Sequence, residues 1–224
     1  MGSAKELLAN FILREVRGKK ILGLGTGKTM RHVINRIKEE GVIGDFEFVC
    51  SSIYTELRVR EIGGKVLSIY SGVIPEVYVD SFDVITHHRV LIKGGGGALL
   101  REKLLASASK KRIYLGEFTK VKESPPFLIP IEVVPASVLY VIDALKRIGI
   151  EAKLREGDSK MGPVITDNGN FIVDAQVKDE DLCSKHRLFK EVVGIVETGI
   201  FCKEFIDKIV LGDERGRIEV VEEG

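Results

Sequence analysis

The sequence predicts an α/β fold with a mostly parallel sheet, into which a smaller ferredoxin-like α+β module is inserted. Three observations predict it. Short β-rich runs alternate with helix-period segments in the first half, the order becomes β-α-β-β-α-β after Glu123-Ser-Pro-Pro, and a last apolar run can return to the first sheet. The 224 residues are enough for one large domain that carries such an insertion.

The first half of the chain supplies the predicted βαβ units. Its N-terminal segment predicts an amphipathic helix rather than a signal peptide, because charges interleave from Lys5 onward with apolar residues at helical spacing, namely Leu7, Leu8, Phe11, Ile12 and Val16. Strand 20–24 then precedes helix 30–37, strand 46–50 precedes helix 54–62, and helix 99–107 precedes strand 112–115. No apolar run approaches the roughly 18 residues that a membrane span requires.

The second half supplies the inserted module. Strand 128–133, helix 135–148 and strand 152–155 are followed by a hairpin signal at Asp167-Asn-Gly-Asn and a helix over 179–192. A last apolar strand over 205–211 could return to the first sheet, which would make the module an insertion. We therefore predict a parallel-sheet domain over 1–126 and 203–224 and a ferredoxin-like inserted domain over 127–202. The acidic tail 219–224 is expected to be a solvated end.

Composition limits the possible partners. The 34 basic and 33 acidic residues leave a net charge of +1, so no global field attracts nucleic acid or an acidic membrane surface, and an anionic ligand must be bound by a local site. Three cysteines, Cys50, Cys183 and Cys202, have no metal-like spacing and sit among apolar neighbours. Buried free thiols and a reducing cytoplasm are the expectation.

The first glycine-rich segment, Gly23-Leu-Gly-Thr-Gly-Lys-Thr29, follows a strand and opens a helix. Its backbone N–H groups can converge on an anion such as phosphate. It is not a P-loop, because that motif has four residues between its two glycines, and the glycine that would have to precede Gly27 by five positions is Leu22. It is not a dinucleotide site either, because its glycines are spaced GxGxG rather than GxGxxG. A glycine-rich turn without a ligand is the alternative.

The second glycine-rich segment, Lys93-Gly-Gly-Gly-Gly97, precedes a helix and lets the chain pass close to a ligand. A flexible linker is disfavoured, because the run follows the apolar strand Val90-Leu-Ile and contains no Ser or Thr. Lys93 and Glu102 thus flank a backbone that can cradle a small anionic substrate. Taken singly, either side chain would be a solvated surface charge.

Other polar residues give less specific signals. Asp80 and Asp83 follow the apolar run Val77-Tyr-Val, at a strand end, which is where open α/β sheets bind ligands. Two such carboxylates suit proton transfer among hydroxyls, helix capping and metal binding equally. His87 and His88 are interpreted as loop histidines, because adjacent side chains are expected to diverge and no third ligand has a recognisable spacing. Three lysines are candidates for gripping phosphate or for ordinary surface positions: Lys28, Lys120 and Lys122.

Several segments together resemble type A ribose-5-phosphate isomerases, in family order and over nearly the whole chain. They are Gly25-Thr-Gly-Lys-Thr, Ser51-Ser52, Leu91-Ile-Lys-Gly-Gly-Gly-Gly-Ala-Leu-Leu-Arg-Glu-Lys, Pro130-Ile-Glu-Val-Val-Pro, Gly162-Pro-Val-Ile-Thr-Asp-Asn-Gly-Asn-Phe-Ile-Val-Asp and Gly194-Ile-Val-Glu-Thr-Gly-Ile-Phe. The lysine-glycine and Thr-Asp-Asn-Gly-Asn stretches are the most specific. The resemblance implies a Rossmann-like, mostly parallel sheet core with an inserted ferredoxin-like α+β domain, and a homodimer or homotetramer.

The same resemblance implies an aldose-ketose isomerase of the non-oxidative pentose phosphate pathway, without metal or cofactor. Glu102 corresponds to the base that moves a proton from C2 to C1 of open-chain ribose 5-phosphate through a cis-enediolate. Lys93 would steady the oxyanion, while Asp80 and Asp83 would hold hydroxyls, assist ring opening and relay the O1/O2 proton. Substrate binding is assigned to Thr26, Gly27, Lys28 and Thr29, to the backbone of Gly94, Gly95 and Gly96, and to Lys120.

The chain departs from the family pattern at a few positions. Asp80-Ser-Phe-Asp-Val84 replaces Asp-Gly-Ala-Asp-Glu, Lys28 replaces a Ser, and Ile53 and Phe118 each replace a Glu. The positions expected to touch the chemistry keep their side chains, so activity is predicted to survive, with Phe82 narrowing the pocket and Lys28 gripping phosphate more strongly.

Two rival functions are weighed against this prediction. Ser81, Phe82 and Val84 motivate an inactive sugar-phosphate-binding paralogue or regulator on the same fold, although no DNA-reading helix-turn-helix is evident. A nucleotide hydrolase built on the first glycine segment is the second rival, and the missing residue in its glycine spacing argues against it.

Overall fold

The computed structural model describes residues 3–157 and 161–222. Within these residues the helices are α1 (Ala4–Glu15), α2 (Lys28–Glu39), α3 (Ile53–Glu61), α4 (Leu99–Ala108), α5 (Val138–Arg147) and α6 (Leu182–Lys190). The strands are β1 (Ile21–Leu24), β2 (Glu47–Cys50), β3 (Lys65–Leu67), β4 (Val77–Ser81), β5 (Val84–Thr86), β6 (Leu91–Ile92), β7 (Arg112–Glu117), β8 (Val121–Lys122), β9 (Phe127–Val133), β10 (Glu151–Leu154), β11 (Phe171–Val177), β12 (Ile195–Thr198), β13 (Ile200–Phe201), β14 (Lys208–Gly212) and β15 (Ile218–Glu222). None of the helices in the described ranges is long and apolar enough to cross a membrane.

The chain forms two compact units. The first comprises Met1–Phe82, Arg101–Lys120 and Lys203–Gly224, and the second comprises Asp83–Leu100 and Val121–Cys202. The division predicted from sequence, 1–126 with 203–224 against 127–202, differs from these units at 83–100 and 121–126. The reason is that β5, β6 and β8 form a small sheet with β13, which belongs to the second unit.

The first unit is built on a sheet with the strand order β15-β14-β7-β4-β1-β2-β3. All neighbours from β14 to β3 are parallel, as the alternating pattern predicts, and β4 is buried along its whole length, which is typical of central parallel strands. Helix α1 begins with a capping box, in which the Ser3 hydroxyl accepts from the Glu6 N–H and the Glu6 carboxylate accepts from the Ser3 N–H at 2.8 Å.

The C-terminal part of the first unit confirms one prediction and corrects another. The last apolar run returns to the first sheet as β14, parallel to β7. The acidic tail is not a solvated end over its described part, because β15 pairs antiparallel with β14 along the sheet edge. Lys208 anchors this edge through ion pairs with Glu15 at 2.7 Å and Glu222 at 2.9 Å. Residues 223 and 224 of the predicted tail lie outside the described residues.

The second unit contains the predicted module. Its strands and helices follow the order β9-α5-β10-β11-α6-β12, and the antiparallel sheet has the strand order β10-β11-β9-β12. This is the ferredoxin-like arrangement predicted from the sequence. The predicted hairpin around Asp167 is a tight turn in which the Thr166 N–H donates to the Asn170 carbonyl at 2.9 Å, rather than an extended pair of strands.

The cysteines correct a further prediction. Cys183 in α6 and Cys202 after β13 form a disulfide, because the fold places their Cα atoms 6.0 Å apart, a separation that a disulfide spans. Their spacing of 19 positions gave no sign of this contact. Cys50 is a buried free thiol as predicted, and burial raises its pKa to about 12, so it is not a reactive thiolate.

We expect reduction of the Cys183–Cys202 disulfide to lower the free energy of unfolding by about 3 kcal/mol, the chain-entropy value for a closed loop of about 20 residues. Chemical unfolding of the oxidised protein with and without a thiol reductant measures the difference. The double variant Cys183→Ser/Cys202→Ser is the matched control, because the reductant should leave its unfolding midpoint unchanged. Equal midpoints for the oxidised and reduced wild-type protein would contradict the expectation.

Candidate active site

A cluster of hydroxyl groups lies where β1 and β2 end. The Thr26 hydroxyl contacts Ser51 Oγ at 2.9 Å, Ser52 Oγ at 2.7 Å and Thr55 Oγ1 at 3.2 Å. Thr55 in turn donates to the carbonyl of Gly25 at 2.9 Å, and Ser52 caps α3 by accepting from the Thr55 N–H. The carboxyl ends of parallel strands are where open α/β sheets bind ligands. Thr26 is therefore held at the expected edge, with hydroxyls suited to oxygen-rich substrates.

The first glycine-rich segment ends at the N-terminus of α2. Gly27 is the N-cap residue with φ of 137°, a conformation that residues with a Cβ rarely adopt, and no side chain caps the helix. The first-turn N–H groups of a helix lack intrahelical partners and carry partial positive charge. Lys28 is exposed at the first helical position, and Thr29 is buried. This end of α2 is therefore suited to an anion, as the sequence predicts.

Asp80 is held as an oriented acceptor inside the first unit. It lies in β4 and is completely buried. Its carboxylate accepts a hydrogen bond from the Tyr78 hydroxyl and one from the Ser81 N–H at 2.7 Å. Gly25 leaves the space it needs, since a Cβ at Gly25 would overlap the Asp80 carboxyl group. The side chain of Asp80 is thus fixed in place by its own strand and by the first glycine-rich segment.

Glu102 is the second buried carboxylate of this unit, on α4 and 4 % exposed. Its charge and that of Asp80 act on the same two phenols, Tyr78 and Tyr114. Burial first, and then these two carboxylates, raises the pKa of both tyrosines well above the usual value. Both tyrosines therefore stay protonated, so each hydroxyl retains a proton that it can donate. Sequence reasoning had noted Tyr78 only as part of a strand.

Lys120 and Phe82 meet next to β7. The Lys120 ammonium donates to the Phe82 carbonyl and lies 5.5 Å from the centre of the Phe82 ring. The ring of Phe82 is buried and occupies space left by Gly116, where a Cβ would lie within 2.7 to 2.8 Å of two ring carbons. This departure from the family pattern is therefore accommodated by a glycine on the neighbouring strand.

The second unit holds the other predicted residues. Asp83 is exposed, and its carboxylate accepts from the Gly95 N–H at 2.7 Å. Lys93 follows β6 and is 2 % exposed, with its ammonium 5.6 Å from the centre of the Phe201 ring and its N–H donating to the Gly199 carbonyl at 2.8 Å. The pairing of β6 with β13 thus positions Lys93, which the two-residue strands in the sequence did not reveal.

Arg155 holds the tetraglycine backbone and was missed by sequence reasoning. Its guanidinium donates to the carbonyls of Gly94 at 2.8 Å and Gly95 at 3.0 Å, and it pairs with Asp174 through two hydrogen bonds. Gly94 has φ of 102°, and a Cβ there would lie 2.7 Å from the Leu99 side chain. The glycine run is therefore held in one path, with the carbonyls of Gly94 and Gly95 turned toward Arg155.

We expect Arg155→Met to lower kcat/KM by about 10²-fold, because displacement of site groups by about 1 Å carries a cost of that size. The loss follows from release of the Gly94 and Gly95 carbonyls rather than from a lost charge alone. Lys153→Met, at an exposed position of β10 two residues before Arg155, is the matched control and should keep full activity. Steady-state kinetics measures the loss, and thermal unfolding shows whether the variant is folded. Normal turnover by a folded Arg155→Met variant would contradict the expectation.

The structure thus gives the predicted residues two local settings. Within the first unit it places Thr26, Gly27, Lys28, Thr29, Asp80, Glu102 and Lys120. Within the second unit it places Asp83, Lys93, Gly94, Gly95 and Gly96. Each setting pairs carboxylates with hydrogen-bond donors, which is the combination needed to move protons between oxygen and carbon atoms of a polyol.

Comparisons with known proteins agree with one another. The family model of ribose 5-phosphate isomerase A (phosphoriboisomerase A) matches residues 47–216. Ribose-5-phosphate isomerase A of Archaeoglobus fulgidus is 34 % identical over 220 residues, which are 95 % of this chain and 96 % of that protein. The corresponding protein of Treponema denticola is 36 % identical over 213 residues, with coverages of 90 % and 88 %.

Solved structures give the same result. The structure of ribose 5-phosphate isomerase A from Methanocaldococcus jannaschii matches with a TM-score of 0.89 and 31 % identity, covering 98 % of both chains. A D-ribose-5-phosphate isomerase in complex with phospho-erythronic acid matches with a TM-score of 0.92 and 30 % identity over the full length of both chains. The sequence resemblance and the predicted fold class are thereby confirmed.

Proposed function

The chain belongs to the ribose 5-phosphate isomerase A family, and we propose on that premise how its own residues interconvert D-ribose 5-phosphate and D-ribulose 5-phosphate. The activity is that of an aldose-ketose isomerase of the non-oxidative pentose phosphate pathway. The observation that carries the proposal is the pair of buried carboxylates, Asp80 and Glu102, which are 0 % and 4 % exposed. Carboxylates are seldom buried to this degree without a chemical or structural partner.

The proposed reaction is a proton transfer through a cis-enediolate. Glu102 removes the proton from C2 of the open-chain aldose and returns it to C1, while Lys93 stabilises the negative charge that develops on oxygen. A base of this kind requires a cation or hydrogen-bond donors at the oxygen that becomes charged. The roles of both residues come from the family resemblance, and their burial supports those roles.

The two aspartates are proposed to manage the hydroxyl protons. Asp80 and Asp83 hold sugar hydroxyls, assist ring opening and relay the proton between O1 and O2. Asp80 is supported by its fixed orientation between the Tyr78 hydroxyl and the Ser81 N–H. Asp83 is supported by its hydrogen bond to Gly95, which ties the carboxylate to the tetraglycine backbone.

The remaining predicted residues are proposed to bind the phosphorylated sugar. The uncapped N-terminus of α2 supports phosphate binding at this helix end, since helix N-termini bind anions. The related structure contains phospho-erythronic acid, which shares a phosphate group and hydroxyl groups with the proposed sugar phosphate substrate. The residues assigned to this role are Thr26, Gly27, Lys28, Thr29, the backbone of Gly94, Gly95 and Gly96, and Lys120.

The location and assembly of the protein are also proposals. We place it in the cytoplasm, because a charged phosphate ester does not cross a bilayer unaided and the enzyme must work where its substrate is made. The cysteines do not support this placement, since disulfides are rare in a reducing cytosol outside hyperthermophiles. A homodimer or homotetramer is inferred from the family resemblance, and light scattering after gel filtration tests it.

The function is tested by incubating the purified chain with D-ribose 5-phosphate and excess chelator in D₂O. We expect ketose to form, with deuterium at C1 of D-ribulose 5-phosphate, because a carboxyl proton exchanges with solvent while the enediolate exists. Absence of turnover would contradict the proposed activity. Binding of the sugar phosphate without turnover would instead favour the inactive paralogue. Turnover that never places deuterium at C1 would contradict the proposed proton-transfer route, but it would leave the isomerase activity itself supported.

A further inference from the structure

We propose that His87, His88 and Glu180 form a binding site for a divalent transition-metal ion, with Zn²⁺ as the best-matched ion. The two histidines lie in the turn between β5 and β6, and Glu180 lies between β11 and α6, all within the second unit. One imidazole nitrogen from each histidine and one oxygen of Glu180 lie within 4.8 Å of one another. These residues take no part in the proposed isomerisation.

The turn explains why the two histidines converge. The Arg89 N–H donates to the Thr86 carbonyl at 2.9 Å, and the Val90 N–H donates to the Thr86 hydroxyl at 3.2 Å, so the chain reverses over His87 and His88. Arg89 takes the left-handed conformation, with φ of 60°. The ring centres of the histidines are 3.7 Å apart. The expectation that these adjacent side chains diverge is therefore wrong, because the tight turn brings both rings to the same side of the chain.

Glu180 supplies the third ligand because its acidic neighbours are engaged elsewhere. Asp179 pairs with Lys185 at 3.0 Å and accepts from the Asp181 N–H. Asp181 is the N-cap residue of α6 and accepts from both the N–H and the hydroxyl of Ser184. The Glu180 carboxylate is directed to the turn instead, with an oxygen 3.8 Å from Nε2 of His88. Sequence spacing gave no hint of this ligand, which is about 90 positions away.

The chemistry of the three groups selects the class of ion. Two imidazoles and one carboxylate are the ligands that Zn²⁺ and neighbouring transition metals accept, whereas Ca²⁺ and Mg²⁺ require oxygen ligands. In a tetrahedral zinc site with bonds of about 2.0 Å, ligand atoms lie about 3.3 Å apart. His88 and Glu180 are 55 % and 56 % exposed, so small side-chain rotations bring the three atoms to that spacing. Water would complete the coordination.

A bound ion would join the β5–β6 turn to the start of α6. A ligand that binds the folded state alone raises its stability by RT ln(1 + [L]/Kd), so the effect grows with the concentration of free ligand. The ion should therefore raise the melting temperature of the protein without changing isomerase turnover, because none of the residues assigned to the sugar phosphate coordinates it. This separates the proposal from the proposed function, whose failure would leave metal binding unaffected.

The test is a calorimetric titration of Zn²⁺ into the untagged full-length chain. We expect one ion per chain, and a visible absorption band of tetrahedral Co²⁺ when cobalt replaces zinc. His87→Asn, His88→Asn and Glu180→Gln should each weaken Zn²⁺ binding by at least about tenfold, the lower end of the cost of losing even an outer-shell partner of a metal ligand. His32→Asn, on α2 in the first unit, is the matched control and should bind as the wild type does.

Each result decides the proposal. Loss of binding and of the Zn²⁺-dependent rise in melting temperature in the three variants, with both retained in His32→Asn, supports the site. Absence of Zn²⁺ binding to the wild-type chain overturns it. Binding that survives all three substitutions, or that His32→Asn weakens equally, also overturns it. The melting temperature in chelator shows that each variant is folded, so a misfolded variant is recognised and replaced by His88→Gln.

Discussion

Replacing Glu102 by Gln is expected to lower kcat by about 10²–10⁴-fold, which is the contribution that general-base proton transfer makes to an enzymatic rate. Gln keeps the shape of the side chain but cannot accept the C2 proton. KM should change little, since the base acts in the transition state rather than in substrate binding. Steady-state kinetics with D-ribose 5-phosphate in excess chelator measures both quantities.

Two further variants separate chemistry from structure at this position. Glu102→Asp keeps a carboxylate at a displaced position and should retain activity between that of wild type and Glu102→Gln. Glu61→Gln, on the exposed end of α3, removes a surface ion pair with Arg58 that contributes at most about 1 kcal/mol, and its turnover should equal that of the wild type. Full turnover by a folded Glu102→Gln variant would exclude Glu102 as the base.

The parts of the fold that the sequence predicts are those with local periodicity. Helices α2 and α5 lie within a few residues of their predicted positions, because apolar residues recur at helical spacing. The order β-α-β-β-α-β likewise identifies the inserted module. The apolar strand predicted at 90–92 is present as β6. The strands β5, β8 and β13 were not predicted, because runs of two or three residues have too little periodicity to be recognised.

The candidate site is predictable where function depends on one continuous segment. The tetraglycine run and the first glycine-rich segment are such cases. Contacts between distant segments could not be predicted: Arg155 reaches Gly94 across 61 positions, and the Cys183–Cys202 disulfide depends on α6 lying beside β13. These contacts follow from strand pairing, which fixes neighbours that the order of residues does not show.

Substituting Gly25 by Ala is the second change with a large expected effect. The new Cβ would overlap the carboxyl group of Asp80. The backbone cannot retreat easily, because the Gly25 N–H donates to the Val79 carbonyl at 2.9 Å, and the carboxylate is held by Tyr78 and Ser81. We expect stability to fall by about 1–3 kcal/mol, as for other overpacked sites, and kcat/KM to fall by about 10²-fold as Asp80 moves.

The cause of that loss can be isolated with one control and one double variant. Gly44→Ala meets no atom within 4 Å and should preserve stability and activity. Gly25→Ala combined with Asp80→Ala should be more stable than the two single effects added together, because the smaller side chain removes the overlap. Strict additivity would show that the two residues do not compete for space. Normal turnover by a folded Gly25→Ala variant would show that the reaction does not need the carboxylate of Asp80 where β4 holds it.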